Sequence, residues 1–212
     1  MKIVKASYII ECPEEPLVML KRIERAARVC YKSEDKITDI SYVDMIKRLI
    51  KSGHESVIEH GIVSVTSIVD RGVSHEIVRH RIASYSQEST RFCSYDEDKF
   101  GHEIKVVDIR QHLKNPKSFD VWERAMVLAE VAYFNMLELG ESPQIARSVL
   151  PTSLKTEIVK TYNLREWRLF FKQRTSPKAH PQMRELMIPM LRDFKNLIPI
   201  VFDDLKGDDN GK

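Results

Sequence analysis

Hydrophobic residues recur along this chain at two spacings, and these spacings predict its secondary structure. Intervals of three and four residues, typical of a helix with one buried face, occur in several segments. We predict helices at 17–30, 42–51, 74–81, 121–140, 143–150, 163–174 and 183–198. Pro16 suits the first turn of the first helix, and Pro189 predicts a bend in the last one. The methionine-rich apolar stripe of that last helix is interpreted as core or subunit packing, not as a cofactor site.

Strand-like patterns are found between these helices. Val63, Val65 and Val69 alternate with polar residues, and segments 3–10 and 154–162 are rich in β-branched residues. Residues 84–90 follow no period and are predicted to form a loop. Together these elements indicate an α+β fold. We expect a single domain at 1–205 and a disordered tail at 206–212.

The composition limits the classes of function. The 212 residues include 34 Lys and Arg against 31 Asp and Glu, which gives a net charge of +3. So small an excess is not typical of a non-specific nucleic-acid binder, and no stretch is long enough to span a membrane. We therefore predict neither a nucleic-acid nor a membrane partner. The three cysteines lack a CxxC spacing, which favours reduced thiols and a cytoplasmic location.

Several common types of site are not predicted. None of the seven glycines forms a GxGxxG or Walker loop, so arginine side chains and helix ends would have to bind any phosphate. His75, Glu76 and His80 give the spacing HExxxH, one residue longer than the zinc-binding HExxH, and no metal site is predicted. The cysteines have no recognisable nucleophile context, and we interpret them as buried or incidental thiols.

Arginine residues are grouped in two parts of the chain. Segment 78–95 interleaves Arg and His with Ser, Thr and Gln, side chains that suit phosphates and flat, amide-like rings. The second group contains Arg147, Arg165, Arg168 and Arg174. For each of these arginines taken alone, the alternative interpretation is a place on a salt-bridged helix face. Two such groups together favour a pocket for an anionic, planar ligand. A non-catalytic nucleotide- or RNA-binding module is the other alternative, and the small net charge counts against it.

Arg79, His80 and Arg81, followed after seven residues by Ser89, give the pattern RHRx7S. This pattern resembles the signature of the flavin-dependent thymidylate synthases. Four further segments are similar to the same family, namely GHESVIEH (53–60), SQESTRF (86–92), ARSVLP (146–151) and NLREWRLFFKQRTSPKAHPQ (163–182). The resemblance therefore extends from near residue 50 to near residue 185.

The resemblance implies the reductive methylation of dUMP to dTMP. Methylenetetrahydrofolate is then the carbon donor, and NADPH reduces a bound FAD that supplies the hydride. It also implies a twisted, mainly antiparallel sheet packed with helices, and a homotetramer whose active sites lie between subunits. A family that holds FAD with Arg, His and Asn side chains needs no glycine-rich loop, and it uses no cysteine nucleophile.

The family's binding residues can be carried over position by position. For FAD the resemblance implies contacts from Ser56, Arg79, His80, Arg81, Asn163 and Arg165. For dUMP it implies contacts from Glu76, Arg79, Gln87, Ser89, Arg91, Arg147 and Arg174. His54 and His180 fall on the flavin and folate side. Glu76 and Gln87 depart from residues common in the family, and Leu169 occupies a position that is often polar, so its flavin contact is not carried over.

Arg174 is the residue to which we assign the chemical role. Carbon 5 of uracil becomes nucleophilic when negative charge is placed on the N3–O2 side of the ring. A guanidinium stays protonated at neutral pH, so it cannot act as a base, but it can stabilise that charge. In a water-poor pocket this is worth about 3 kcal/mol. The sequence offers no base and orienting acid for Ser89, which we interpret as a hydroxyl that positions the substrate.

Overall fold

Two β-sheets and a set of helices form the fold in a computed structural model that describes residues 1–207. The strands are β1 (Lys2–Val4), β2 (Ser7–Glu11), β3 (Ile62–Asp70), β4 (Ala83–Gln87), β5 (Lys105–Val107) and β6 (Lys155–Asn163). The helices are α1 (Pro16–Val29), α2 (Ser41–Lys51), α3 (Arg71–Ile77), α4 (Ser118–Glu138), α5 (Pro143–Ala146), α6 (Leu164–Arg174), α7 (Pro181–Leu197) and α8 (Pro199–Phe202). The predicted α+β class is confirmed. Of the predicted tail, residues 208–212 lie outside the described part of the chain.

The described strands are divided between a two-stranded and a four-stranded sheet. β1 pairs with β5 in parallel, with Ile3 opposite Val106, and the larger sheet has the order β2-β3-β6-β4. The single strand predicted over 3–10 is wrong, because the chain passes at Lys5 and Ala6 from one sheet to the other. No glycine or proline marks that break in the sequence. The expectation of a mainly antiparallel sheet therefore describes the fold only in part, since the smaller sheet is parallel.

By internal packing the chain divides into two compact units, each made of separate segments. Unit 1 consists of Met1–Ser7, Ser67–Arg79 and Ser86–Val159. Unit 2 consists of Tyr8–Thr66, His80–Tyr85 and the chain from Lys160 onward. The division falls within strands β2, β3, β4 and β6, so neither unit is a continuous stretch of sequence.

The core of unit 1 forms around helix α4. Met126 and Tyr133 of this helix pack with five other buried residues, namely Tyr95, Ile104, Val106, Ala146 and Leu154. The amino group of Met1 lies 2.7 Å from Glu130 on the same helix, whose carboxylate also accepts a hydrogen bond from the backbone of Ile104. These contacts fix the start of the chain against α4.

The core of unit 2 is aromatic. Trp167 and Phe171 of α6 contact Phe194 of α7, with ring centroids 4.7 and 5.0 Å from that of Phe194. The Trp167 Nε1–H donates to the backbone oxygen of Val63 at 3.0 Å, which fastens α6 to β3. The predicted core role of the methionine stripe is confirmed by three fully buried side chains of α7, Met183, Met187 and Met190.

The structure differs from the prediction on either side of the RHR signature. Helix α3 begins at Arg71, before the predicted start, because the Asp70 carboxylate accepts a hydrogen bond from the Val73 backbone at 2.6 Å and caps the helix. It ends at Ile77, so the signature follows the helix instead of completing it. Residues 84–90 are not all loop, since β4 occupies an edge of the larger sheet. Edge strands can be polar on both faces, which removes the usual alternation.

Candidate functional site

His80 lies at the centre of a hydrogen-bonded group in unit 2. Its Nδ1 is 2.7 Å from Glu166 Oε1, and its Nε2 accepts a hydrogen bond from Arg174 Nε at 3.1 Å. The residue is only 6% exposed, and its ring packs edge-on against Phe170 with centroids 4.8 Å apart. Glu166, Phe170 and Arg174 are spaced four residues apart on α6, so they form one ridge of the helix. We call His80, Glu166 and Arg174 the His80 triad.

A side-chain cap fixes where helix α6 begins, and with it the ridge that carries Glu166. The Asn163 Oδ1 accepts a hydrogen bond from the Glu166 backbone at 2.8 Å and begins α6. The backbone N–H of Leu164 donates to the Gly61 carbonyl at 2.9 Å, which ties the helix start to the segment before β3. Asn163, predicted as an FAD contact, therefore also serves as the helix cap.

Two tyrosines hold the backbone of His80. The Tyr85 hydroxyl donates to the His80 carbonyl at 2.6 Å, and the hydroxyls of Tyr85 and Tyr162 are 2.9 Å apart. Because Tyr85 has one proton and gives it to the carbonyl, Tyr162 must be the donor to Tyr85. Burial raises the pKa of both phenols, so both remain protonated at neutral pH.

Burial also determines the charge of His80. Loss of hydration lowers the pKa of the imidazole, the Glu166 carboxylate opposes this change, and the Arg174 charge adds to it. The net direction is below the ordinary value, so the ring is neutral at pH 7. A neutral imidazole leaves one ring nitrogen able to accept the Arg174 hydrogen bond.

The other arginines of α6 form ion pairs. Arg168 is 2% exposed, and its guanidinium contacts Glu55 at 3.1 Å, both Asp204 oxygens and the Val201 carbonyl. The pKa of Asp204 is held below its usual range chiefly by its hydrogen bond from Arg168. Arg168 is thus buried and held in structural ion pairs, and the prediction that it lines a ligand pocket is wrong. Arg165, predicted to bind FAD, is exposed and pairs with Glu59 at 2.6 Å.

Unit 1 brings together three of the residues predicted to bind dUMP. The Ser89 Oγ accepts a hydrogen bond from the Arg91 backbone at 3.3 Å. The Arg91 Nε donates to Gln144 at 3.2 Å, and Arg147 Nη1 lies 3.4 Å from the Thr90 hydroxyl. Both guanidiniums are exposed and carry further N–H groups, so they can bind an anion such as a phosphate.

Hydrogen bonds within unit 1 fix the two residues that precede Ser89. The Gln87 amide nitrogen donates to the hydroxyls of Ser74 at 2.9 Å and Thr156 at 3.2 Å. The Glu88 carboxylate accepts hydrogen bonds from Lys155 at 2.8 Å and from the Tyr95 hydroxyl at 3.1 Å. These contacts fix the backbone of the segment that carries Ser89 and Arg91. Glu76, also predicted to bind dUMP, is half-buried on α3 of the same unit.

Unit 2 contains a cavity of about 960 Å³ that is lined by His54 and Ser56. Its lining also includes the basic residues Arg28, Lys36 and Arg48, of which Arg28 pairs with Glu24 at 2.7 Å. Sites for ligands of cofactor size typically measure about 300–1,000 Å³. Lysine and arginine beside hydroxyl and imidazole groups suit a ligand that combines phosphates with flat rings. A second cavity of about 360 Å³ is lined by Asn163, Arg165 and Leu169.

The remaining predicted site residues are on the surface. Arg79 and Arg81 are exposed on either side of buried His80, and His180 is exposed just before α7. Within residues 1–207, no group of three or more His, Cys, Asp and Glu side chains is placed to hold a metal ion. No helix in the same range is both long enough and apolar enough to cross a membrane.

A family model described as "Thymidylate synthase complementing protein" matches residues 18–200. This chain belongs to that family. The match confirms the resemblance stated from the RHR signature. A flavin-dependent thymidylate synthase from Mycobacteroides abscessus is 35% identical over 204 residues, which cover 86% of this chain and 78% of the relative. Another from Geobacter sulfurreducens is 33% identical over 186 residues, with 84% and 78% covered.

A solved structure shares the fold of this family member. The UMP/dUMP methylase PolB from Streptomyces cacaoi, crystallised with 5-Br dUMP, matches with a TM-score of 0.76 over 96% of each chain. The two sequences are 24% identical, and the likeness therefore concerns the fold alone.

Sequence reasoning missed the acidic partners of the site. In the sequence, Glu166 stands out only as an acidic neighbour of Arg165, yet it contacts His80 at 2.7 Å. The signal available was its spacing of four and eight residues from Phe170 and Arg174 along a helix. Glu88 lies between two predicted dUMP contacts, and nothing in its spacing marks it as an anchor.

Proposed function

We propose that this chain is a flavin-dependent thymidylate synthase. It converts dUMP to dTMP, with methylenetetrahydrofolate as the carbon donor, NADPH as the reductant and FAD as the bound cofactor. The observation that carries this proposal is the family match over residues 18–200, which includes the whole RHRx7S signature. The domain that performs the reaction is residues 1–205.

The residues of unit 2 are suited to binding FAD. The large cavity offers Ser56 and His54 together with basic side chains, and the signature places Arg81 on the surface next to buried His80. These residues, with Asn163 and Arg165 of the same unit, would hold the pyrophosphate and the flat ring through charge-assisted hydrogen bonds. Arg79 is assigned to FAD by the family signature alone. When bound, FAD supplies the hydride that completes the new methyl group. His180 and His54 lie on the flavin and folate side of the site.

Binding of dUMP is assigned to the exposed cations of unit 1. Arg91 and Arg147 each use a guanidinium N–H on a neighbouring Gln or Thr and keep others for the nucleotide phosphate. The Ser89 hydroxyl would position the same substrate, with Glu76, Gln87 and Arg79 completing the contacts that the family signature implies. Bidentate Arg–phosphate pairs supply both charge and geometry.

The chemical role is assigned to Arg174. Its guanidinium stabilises negative charge on the N3–O2 side of uracil, which raises the electron density at carbon 5 for attack on the carbon donor. The half-buried position of Arg174 strengthens this interaction, because little water competes for the charge. The preorganised donor is worth about 3 kcal/mol of transition-state stabilisation.

A homotetramer with shared active sites is part of the same proposal. Three apolar side chains of the α4 region, Val121, Leu128 and Leu139, are 65%, 68% and 85% exposed. Large apolar residues grouped on one helix support burial against another subunit. Sedimentation at micromolar concentration should give about four times the 24.7 kDa chain mass, and a monomer would contradict this part. We further propose that the enzyme acts in the cytoplasm.

Purification and assay of the protein test the function directly. The wild type should show flavin absorbance and should form dTMP from dUMP only when methylenetetrahydrofolate and NADPH are present. Arg81→Ala should lose FAD, while the control Arg110→Ala, an exposed arginine paired with Asp108, should retain it. A colourless wild type that takes up no added FAD would overturn the proposal. Nucleotide binding without turnover would favour the alternative of a binding module.

A further inference from the structure

The hydrogen bond from Arg174 shows which ring nitrogen of His80 carries the proton. A guanidinium has only donors, so the His80 Nε2 that it contacts at 3.1 Å must be an acceptor without a proton. The single proton of the neutral ring is therefore on Nδ1, and it points at the Glu166 carboxylate 2.7 Å away. The Nδ1–H tautomer and the Arg174 contact require each other.

We infer that Glu166 is a positioning residue that holds His80 as the Nδ1–H tautomer and thereby orients the Arg174 guanidinium for methyl transfer. An imidazole keeps its proton on the nitrogen whose neighbour accepts it. Without an acceptor beside Nδ1, the ring can carry its proton on Nε2, and that N–H would face the Arg174 N–H. The part of this inference that concerns methyl transfer rests on the proposed function.

Other groups around His80 fix the ring in this orientation. The Tyr85 hydroxyl, itself hydrogen-bonded to Tyr162, holds the backbone carbonyl of His80, and the Phe170 ring packs against the imidazole. Rotation of the ring that would exchange its two nitrogens is therefore opposed by packing and by both hydrogen bonds. The tautomer then depends on which side chain lies beside Nδ1, and that side chain is Glu166.

The triad also predicts how methyl transfer depends on pH. A second proton on His80 would occupy Nε2, so the ring and Arg174 would face each other as two cations and two donors. The titratable or charged groups facing the ring are Glu166 and Arg174 of α6, Tyr85 of β4 and Tyr162 of β6. Methyl transfer should therefore fall as the pH drops through the pKa of His80. Removal of the Glu166 charge should move this fall to lower pH, since that charge raises the pKa.

Two substitutions of Glu166 distinguish its role as a hydrogen-bond acceptor for His80 from the effect of its negative charge. Glu166→Gln keeps a carbonyl oxygen for the Nδ1 proton but removes the charge, whereas Glu166→Leu removes both at similar volume. We expect Glu166→Gln to retain kcat within about threefold with its acidic limb shifted to lower pH. Glu166→Leu should lower kcat about 10- to 100-fold, the order found when the hydrogen-bond partner that orients a metal-bound histidine is lost. The KM for dUMP should change less than kcat, because Glu166→Leu leaves the predicted phosphate contacts of Arg91 and Arg147 intact. Glu34→Ala, which replaces an exposed glutamate, serves as the control.

The tautomer itself is measured by long-range ¹H–¹⁵N correlation spectra of the histidine side chains, with His80→Gln to assign the signal. Wild type and Glu166→Gln should show Nδ1–H, and Glu166→Leu should show Nε2–H. An Nε2–H ring in the wild type, or an Nδ1–H ring in a folded Glu166→Leu protein, would overturn the inference. If Glu166→Leu does not fold, an acidic limb in Glu166→Gln that does not move would also overturn it. The spectra need no turnover, so failure of the proposed function is seen separately, as a wild type that forms no dTMP.

Discussion

A methyl group added at Gly61 tests the contact that holds helix α6 in place. A Cβ at this position would lie 2.6 Å from Leu164 Cδ1, 2.9 Å from Leu164 Cγ and 2.9 Å from Met19 Sδ. Both neighbours are fully buried, so neither can move into solvent. The backbone of Gly61 is extended, with φ −88° and ψ 136°, which alanine adopts without strain. Any cost of Gly61→Ala therefore comes from packing.

The size of the effect follows from two opposing contributions. Overpacking of a buried site costs about 1–3 kcal/mol, while replacing glycine by alanine reduces the entropy of the unfolded chain and returns about 0.4–1 kcal/mol. We expect a net loss of about 1–2 kcal/mol in the free energy of unfolding. Leu164 is the first residue of α6, so part of the strain should reach the His80 triad on the same helix.

Urea unfolding of four proteins separates this clash from other effects. Gly61→Ala should lower the midpoint with an unchanged slope. Leu164→Ala alone should cost about 2–5 kcal/mol, because it leaves a cavity. In the Leu164→Ala background the added methyl group should cost much less, since only the contact with Met19 remains and that flexible side chain can shift into the vacated space. Equal destabilisation in both backgrounds, or none in either, would refute the packing argument.

Three further predictions follow from the site and from the ion pairs. Arg174→Lys keeps the charge but loses the planar fork, so single-turnover dTMP formation at saturating dUMP should fall about 100-fold; a normal rate would leave Arg174 as a binding residue only. Serine at all three cysteines, of which Cys30 is exposed, should leave steady-state dTMP formation within about tenfold, and loss of turnover in a folded, FAD-containing variant would indicate a thiolate step. Asp204→Asn should cost about 1 kcal/mol at neutral pH, because Arg168 lowers the pKa of Asp204 below its unfolded value of about 3.9. This loss should vanish as the pH falls through the lowered pKa, and urea unfolding that shows the same difference in acid would contradict it.

The amino-acid sequence by itself determined the positions of most of the helices. Apolar spacing and capping residues act locally, so the start of α1 at Pro16 and the cap of α6 at Asn163 can be read from neighbouring residues. The RHRx7S pattern likewise indicated the family without any structure, because the order of residue types along the chain is what defines the signature. The assignment of individual FAD and dUMP contacts stays a prediction.

Only the tertiary structure decided which charged residues form structural ion pairs and which are available to bind ligands or to take part in the reaction. Arg168 and Arg174 look alike in sequence, yet one is clamped by Asp204 and the other meets His80. The break between β1 and β2 and the strand β4 also depend on partners distant in sequence, which local patterns do not encode. The tautomer of His80 is decided in the same way. It depends on Glu166, 86 residues further along the chain, because a proton's position on an imidazole follows the acceptor that folding brings beside it.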